Sequence, residues 1–209
     1  MLRTKDLNFG DILKSYEGTG ELLELYLGDT DRCLTGRVLK WYPDDWAEYR
    51  SLESKEDEED EDIESLLLPA VIVSLVNSSD GADAGLAWIN CMDLVKVAVG
   101  TSYLKSINLA CSDTSCSTIE LPDEPRLDAL LELSGKEQKM VSFESSEDIE
   151  YECYGIVEAY NDEVIKLRSY KNSGEEDGTV YLGRSEIRLC IYDGPYERVA
   201  NAMRKANIK

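Results

Sequence analysis

The 209-residue sequence contains no histidine, and this absence removes the commonest general base and the commonest metal ligand in proteins. It also excludes a serine or cysteine nucleophile activated by histidine, which most hydrolases use. The six cysteines form no C-x-x-C pair, so the sequence predicts neither a zinc ribbon nor a thioredoxin-type centre. Glycine-rich phosphate loops are absent as well. We therefore expect no enzyme activity, no cofactor and no metal site.

Long apolar runs are also missing. None approaches the roughly 20 residues that span a bilayer, and the opening MLRTKDLNFGD lacks the apolar stretch of a signal peptide. These absences predict a cytoplasmic protein that does not contact a membrane. In that compartment the cysteines are expected to be reduced thiols of the core. Pairing of Cys111 with Cys116 on oxidation is the alternative, because both lie in a polar segment.

Basic residues are scarce. The chain has 22 lysines and arginines against 43 acids, which gives a net charge of −21. Such a field repels the phosphates of nucleic acids and favours protein partners of basic character, so RNA is the less favoured partner. The densest acidic run is KEDEEDEDIE at residues 55–64. We interpret it as a solvated loop, with an acidic arm that captures a basic surface as the alternative.

The sequence contains an internal repeat. Residues 85–103 align without gaps on residues 178–196 at a spacing of 93, and residues 33–46 align on residues 152–165 at a spacing of 119. The larger second spacing reflects an insertion in the first repeat that contains the acidic run. The predicted organisation is a first domain at 1–110 with an acidic insertion at about 53–68, a linker at 111–122, and a second domain at 123–209 that ends in a helix.

Each repeat predicts a short helix followed by about five short strands that are separated by polar breaks. A small set of antiparallel strands usually closes on itself, because closure removes exposed sheet edges. Gly36 and Gly155 lie inside strand patterns and suit a tight bend of a barrel wall. The predicted fold is mostly β with short helices, as two tandem five-stranded barrels that are each preceded by a short helix.

Two segments of the second repeat carry a resemblance to a known family. They read 155-GIVEAYNDEVIKL-167 and 180-VYLGRSEIRLCI-191. With these segments, residues 125–195 resemble the Sm-like (LSm) small β-barrel family of RNA-associated proteins, a pattern that SH3-like barrels share in part. In Sm-like proteins two turns carry the RNA pocket. The resemblance therefore implies a possible RNA pocket at Tyr160, Asn161, Asp162, Gly183 and Arg184.

The tryptophans all lie in the first repeat. Trp41 and Trp88 align with tyrosines of the second repeat, which predicts barrel interiors or a contact between barrels. Trp46 aligns with a core-type isoleucine, and the alternative is an exposed anchor for a basic partner. That candidate partner-binding group is Asp44, Asp45, Trp46 and Tyr49.

These observations predict a non-catalytic binding or assembly module that acts through protein–protein interaction, with a homo-oligomer among the possible assemblies. One alternative is an RNA-binding Sm-like protein. Another is an acidic inhibitor or immunity protein that neutralises a basic toxin or nucleic-acid-binding protein.

Overall fold

The computed structural model describes residues 8–28, 33–42, 69–111, 127–145, 153–171 and 173–207. The helices in these ranges are α1 (Phe9–Tyr16), α2 (Ser102–Ala110), α3 (Asp128–Glu137) and α4 (Pro195–Asn207). The strands of the first repeat are β1 (Leu23–Leu27), β2 (Cys33–Tyr42), β3 (Ala70–Val76), β4 (Asp83–Asn90) and β5 (Leu94–Val99). Those of the second repeat are β6 (Val141–Ser145), β7 (Cys153–Tyr160), β8 (Val164–Tyr170), β9 (Glu176–Gly183) and β10 (Ile187–Tyr192).

The ten strands form one antiparallel sheet in the order β5-β1-β2-β3-β4-β10-β6-β7-β8-β9. The predicted mostly β fold is confirmed. The prediction of two separately closed barrels is wrong, because the sheet is not closed into a barrel. Its first five strands are those of the first repeat and its last five those of the second. Strand β4 pairs with β10, so its edge hydrogen bonds join the two repeats.

The internal repeat is visible in the backbone. Strand β9 begins and ends 93 residues after β4, and β10 begins and ends 93 residues after β5. The pairing irregularity between Val38 and Lys40 in β2 recurs between Val157 and Ala159 in β7. Both halves of the sheet therefore have the same strand order, and this irregularity lies at equivalent positions of β2 and β7.

Local sequence explains where the helices begin and end. Asn8 precedes α1 and its side chain accepts a hydrogen bond from the N–H of Asp11, while Thr101 does the same for α2 through the N–H of Leu104. Helix α3 continues through Gly135 and ends at Glu137, because Gln138 adopts the left-handed conformation that stops a helix.

Two hydrophobic cores lie on either side of the central strands. Strand β4 directs Ala87 and Ile89 into the first core and Leu86 and Trp88 into the second. Strand β10 alternates in the same way. Every side chain of β10 is buried, since each face of this strand covers one core. The burial predicted for Trp41 and Trp88 is confirmed, and Trp88 lies in the core of the second repeat.

Candidate functional site

The structure brings the two predicted turns of the second repeat together. The guanidinium Nη1 of Arg184, in the β9–β10 turn, donates a hydrogen bond of 3.1 Å to the carbonyl of Asn161 in the β7–β8 turn. The backbone N–H of Arg184 also donates to the carbonyl of Glu163, at 2.8 Å. Asp162 and Gly183 are exposed beside this contact. The structure therefore brings together the two turns of the pocket that the resemblance implies.

The β7–β8 turn is held by Asn161. Its side-chain oxygen accepts hydrogen bonds from the N–H groups of Glu163 at 3.0 Å and Val164 at 2.7 Å. Its own N–H donates to the carbonyl of Val164. An asparagine side chain that imitates a backbone turn in this way is a common device of tight hairpins. The side-chain oxygen and the backbone N–H of Asn161 are thus both used within the turn.

The positive charge of Arg184 is paired within the chain. Its Nη2 lies 2.7 Å from a carboxylate oxygen of Asp128, at the start of α3. Nearby, the hydroxyl of Tyr160 donates to the carboxylate of Glu132 at 3.1 Å. Burial and this hydrogen bond raise the pKa of Tyr160 to about 12. The turns are therefore anchored to α3 by carboxylates, which compete with a phosphate for the same donors.

The other predicted group, Asp44, Asp45, Trp46 and Tyr49, lies outside the described residues, as does the acidic insertion at about 53–68. Cys116 lies outside them as well. The hypotheses that rest on these residues stay predictions from sequence.

The cysteines that the structure describes are free thiols. Cys91 and Cys190 are buried as predicted, and burial raises the pKa of both thiols, so neither is primed as a nucleophile. Cys33 is exposed, which corrects the expectation of core thiols at that position. Within the described ranges, no group of three or more acidic or cysteine side chains is placed to hold a metal ion. In the same ranges, no helix is long and apolar enough to cross a membrane.

The sequence predicted no candidate partner-binding residues on the two end strands of the sheet. Strand β5 pairs with β1 on one side, and β9 pairs with β8 on one side; neither has a second neighbour among the described strands. Both strands nevertheless expose apolar side chains. Val95 on β5 is 62% exposed and Tyr181 on β9 is 66% exposed. The repeat alignment contained a usable signal. It equates β9 with β4 and β5 with β10, and β4 and β10 pair with each other in the sheet.

The junction between β4 and β10 shows what such a pairing requires. Leu189 lies opposite Ile89, Cys190 opposite Trp88, Ile191 opposite Ala87, and Tyr192 opposite Leu86. Arg198 of α4 reaches across the junction to Asp83, with 2.7 Å between Nη2 and the carboxylate. A Cβ on Gly85 would lie 2.4 Å from the carbonyl oxygen of Tyr192, so only glycine permits the close approach of the two backbones.

Comparisons with known proteins give no relative: no family model, curated protein or solved structure matches the chain.

Proposed function

We propose that the protein is a non-catalytic binding and assembly module that acts through protein–protein interaction at the ends of its sheet. The observation that carries the proposal is the pair of sheet edges, β5 and β9, that have no second strand among the described residues and expose Val95, Val99 and Tyr181. An edge strand offers a row of backbone donors and acceptors that readily pairs with another chain.

The composition of the edges supports this proposal. Natural proteins usually block a sheet edge with charge, proline or a covering segment. Strand β5 reads LVKVAV, with one charged residue and no proline. Strand β9 reads EDGTVYLG, in which the only charged residues are the acids at its first two positions. Apolar side chains beside unpaired backbone are the features of a surface that gains free energy when a strand covers it.

A photo-crosslinking experiment tests the proposal. p-Benzoylphenylalanine replaces Tyr181 on β9 or, as a control, Tyr196 on α4, which is 75% exposed. We expect a defined protein adduct from position 181 and none from position 196. The adduct partner is then purified and mixed with the chain, where Tyr181→Asp should abolish binding and Tyr196→Asp should not. Absence of an adduct at position 181, or equal loss of binding with both variants, would contradict edge binding.

RNA binding by the second repeat is the second candidate. The contact between the Asn161 and Arg184 turns supports it, as does α3, which precedes the first strand of the repeat as the Sm-like resemblance implies. The arrangement of the repeats as two Sm-like units is part of the same proposal. Binding of oligoribonucleotides measured by filter retention at low salt should then be lost in Arg184→Ala. No retention at low salt, where electrostatic attraction is strongest, overturns this candidate.

A further inference from the structure

A central strand of the sheet, β10, carries a buried positive charge. Arg188 lies on this strand and is 4% exposed. Its guanidinium Nη2 donates a hydrogen bond of 3.0 Å to the carbonyl of Gly28, which lies 160 residues away in the first repeat. We propose that this guanidinium is an oxyanion-binding site, which takes a small carboxylate or phosphate at the junction between the two repeats.

The hydrogen bonding of Arg188 is incomplete. Its Nε is buried and has no hydrogen-bond partner among the described residues. A buried donor without an acceptor has lost the hydrogen bonds that water would give it, and this loss is largest for a charged group. Buried polar groups in folded proteins are therefore nearly always hydrogen-bonded. The Nε–H group of Arg188 calls for an acceptor in the same way.

The charge of Arg188 also lacks a counterion. Within the described ranges its guanidinium forms no ion pair, and its one acceptor is the neutral carbonyl of Gly28. More exposed guanidinium groups do have a carboxylate, at 2.9, 2.7 and 2.7 Å, in Arg168, Arg184 and Arg198. Burial of a cation is unfavourable unless a partner offsets the loss of water. In a chain with 43 acids and 22 basic residues, the buried guanidinium is therefore a place for an external anion.

The open donor has the geometry that oxyanions bind. The Nε–H and one N–H of Nη2 point in the same direction, and together they match two oxygens of a carboxylate or a phosphate. In Arg188 the Nε–H is open. Because Nη2 carries two hydrogens, it can hold the carbonyl of Gly28 with one and donate to an anion with the other.

A bulge in β10 separates Arg188 from the neighbouring strand. Arg188 has no partner residue in β6, because the pairing register shifts between Ile187 and Leu189. The register of β5 shifts at the equivalent position, where Val95 has no partner residue in β1. Bulges redirect side chains and are frequent next to functional sites. Since both repeats have the bulge but only the second has an arginine there, the shared fold does not account for the cation.

The site is close to solvent. A Cβ built on Gly28 would lie 3.0 Å from a methyl carbon of Val95, and Val95 is 62% exposed. The N–H of Gly28 donates to the carbonyl of Asp93 at 2.7 Å, which fixes the peptide that Arg188 contacts. The guanidinium is therefore one residue away from the surface. Its burial restricts the ligand to a small anion.

Titration of the wild-type chain with inorganic phosphate, followed by heteronuclear NMR, tests the proposal. Ionic strength is held constant with sodium chloride so that screening does not change. The Nε–H resonance of Arg188 should shift and then saturate as phosphate is added. Arg37 is the internal control, because it is 8% exposed but its Nε already donates to the carbonyl of Gly20 at 3.0 Å. Its Nε–H resonance should not shift. The same titration with acetate distinguishes a carboxylate ligand from a phosphate.

Substitution gives a second, independent measurement. An anion that binds only the folded chain raises the melting temperature by mass action, and the dependence on phosphate concentration gives its affinity. Arg188→Met keeps an unbranched side chain and removes the donors. We expect it to bind phosphate at least about tenfold more weakly than wild type, because charge-assisted hydrogen bonds are lost. Arg37→Met is the matched control and should keep the wild-type affinity.

The absence of a saturable shift at the Nε–H of Arg188 with both anions overturns the inference. Equal shifts at Arg37 and Arg188 also overturn it, because the anion then acts on arginines in general. So does an Arg188→Met variant whose melting temperature rises with phosphate as that of wild type does. Because the NMR titration uses the wild-type chain, it decides the question even where the variant fails to fold.

Discussion

Trp88 of the first repeat lies directly opposite Cys190 of the second, and its indole is buried in the core that α3 and the second-repeat strands build. Removal of a buried tryptophan typically costs about 3–5 kcal/mol. We expect Trp88→Ala to lower the free energy of unfolding by this amount in urea titrations. Trp88→Phe should cost less, because the indole N–H has no hydrogen-bond partner among the described residues. Equal losses for the two variants would contradict this packing role.

Gly36 and Gly155 hold equivalent positions in β2 and β7. A Cβ on Gly36 would lie 2.4 Å from a methyl carbon of Val73, and one on Gly155 would lie 2.7 Å from the carbonyl oxygen of Arg168. We expect Gly36→Ala and Gly155→Ala to destabilise the protein by about 1–3 kcal/mol each. Gly183→Ala is the control, because its Cβ would make an ordinary contact of 3.5 Å. Thermal unfolding should give lower melting temperatures for Gly36→Ala and Gly155→Ala than for Gly183→Ala.

Arg184 and Asp128 form an ion pair in which the side chains are 15% and 24% exposed. We expect Arg184→Ala and Asp128→Asn each to cost about 1 kcal/mol, because the two charges form a close ion pair at a partly exposed site. Their effects should be less than additive in a double-mutant cycle of urea unfolding. Strict additivity would show that Arg184 does not stabilise the fold through Asp128, which would favour the RNA candidate.

Glu137 accepts a hydrogen bond of 2.8 Å from the hydroxyl of Tyr192, and Lys139 lies 3.0 Å from its carboxylate. These neighbours hold the pKa of Glu137 below its ordinary value. A depressed pKa stabilises the folded chain above the ordinary glutamate pKa of about 4.3, and that stabilisation is lost as the pH falls through the depressed value. Glu137→Gln should therefore unfold more readily than wild type at pH 7, and the difference should shrink in acid. A constant difference across this pH range would contradict the assignment.

The sequence predicted the individual helices and strands, but not whether the strands close into barrels. Alternation and polar breaks predicted the strands and helices, and the 93-residue spacing predicted which strands correspond. The choice between closing each set of five strands and joining the sets depends on which edge β4 meets, a long-range contact that no local pattern encodes. The run GLAWIN in β4 is apolar on both faces, which indicates a strand covered on both sides but does not identify the strand that pairs with its edge.

The candidate sites could likewise be predicted only in part. Local turn chemistry at Asn161 was legible in the sequence, and the meeting of its turn with that of Arg184 followed from the family resemblance. The sequence could not predict that Arg184 pairs with Asp128, because 56 residues separate them and acids are abundant throughout the chain. No partner-binding residues were predicted at the sheet edges, because closure of the predicted barrels would remove most exposed edges.

Strands β4 and β10 form a wall that faces an interior on each side. A change of side-chain volume at Ile89 or Cys190 alters its cross-strand neighbour, Leu189 or Trp88, which faces the same core but belongs to the other repeat. The effect of such a change therefore reaches both repeats. The two halves of the molecule are therefore expected to unfold in one cooperative transition, and a substitution that stabilises either half should raise the single melting temperature of the chain.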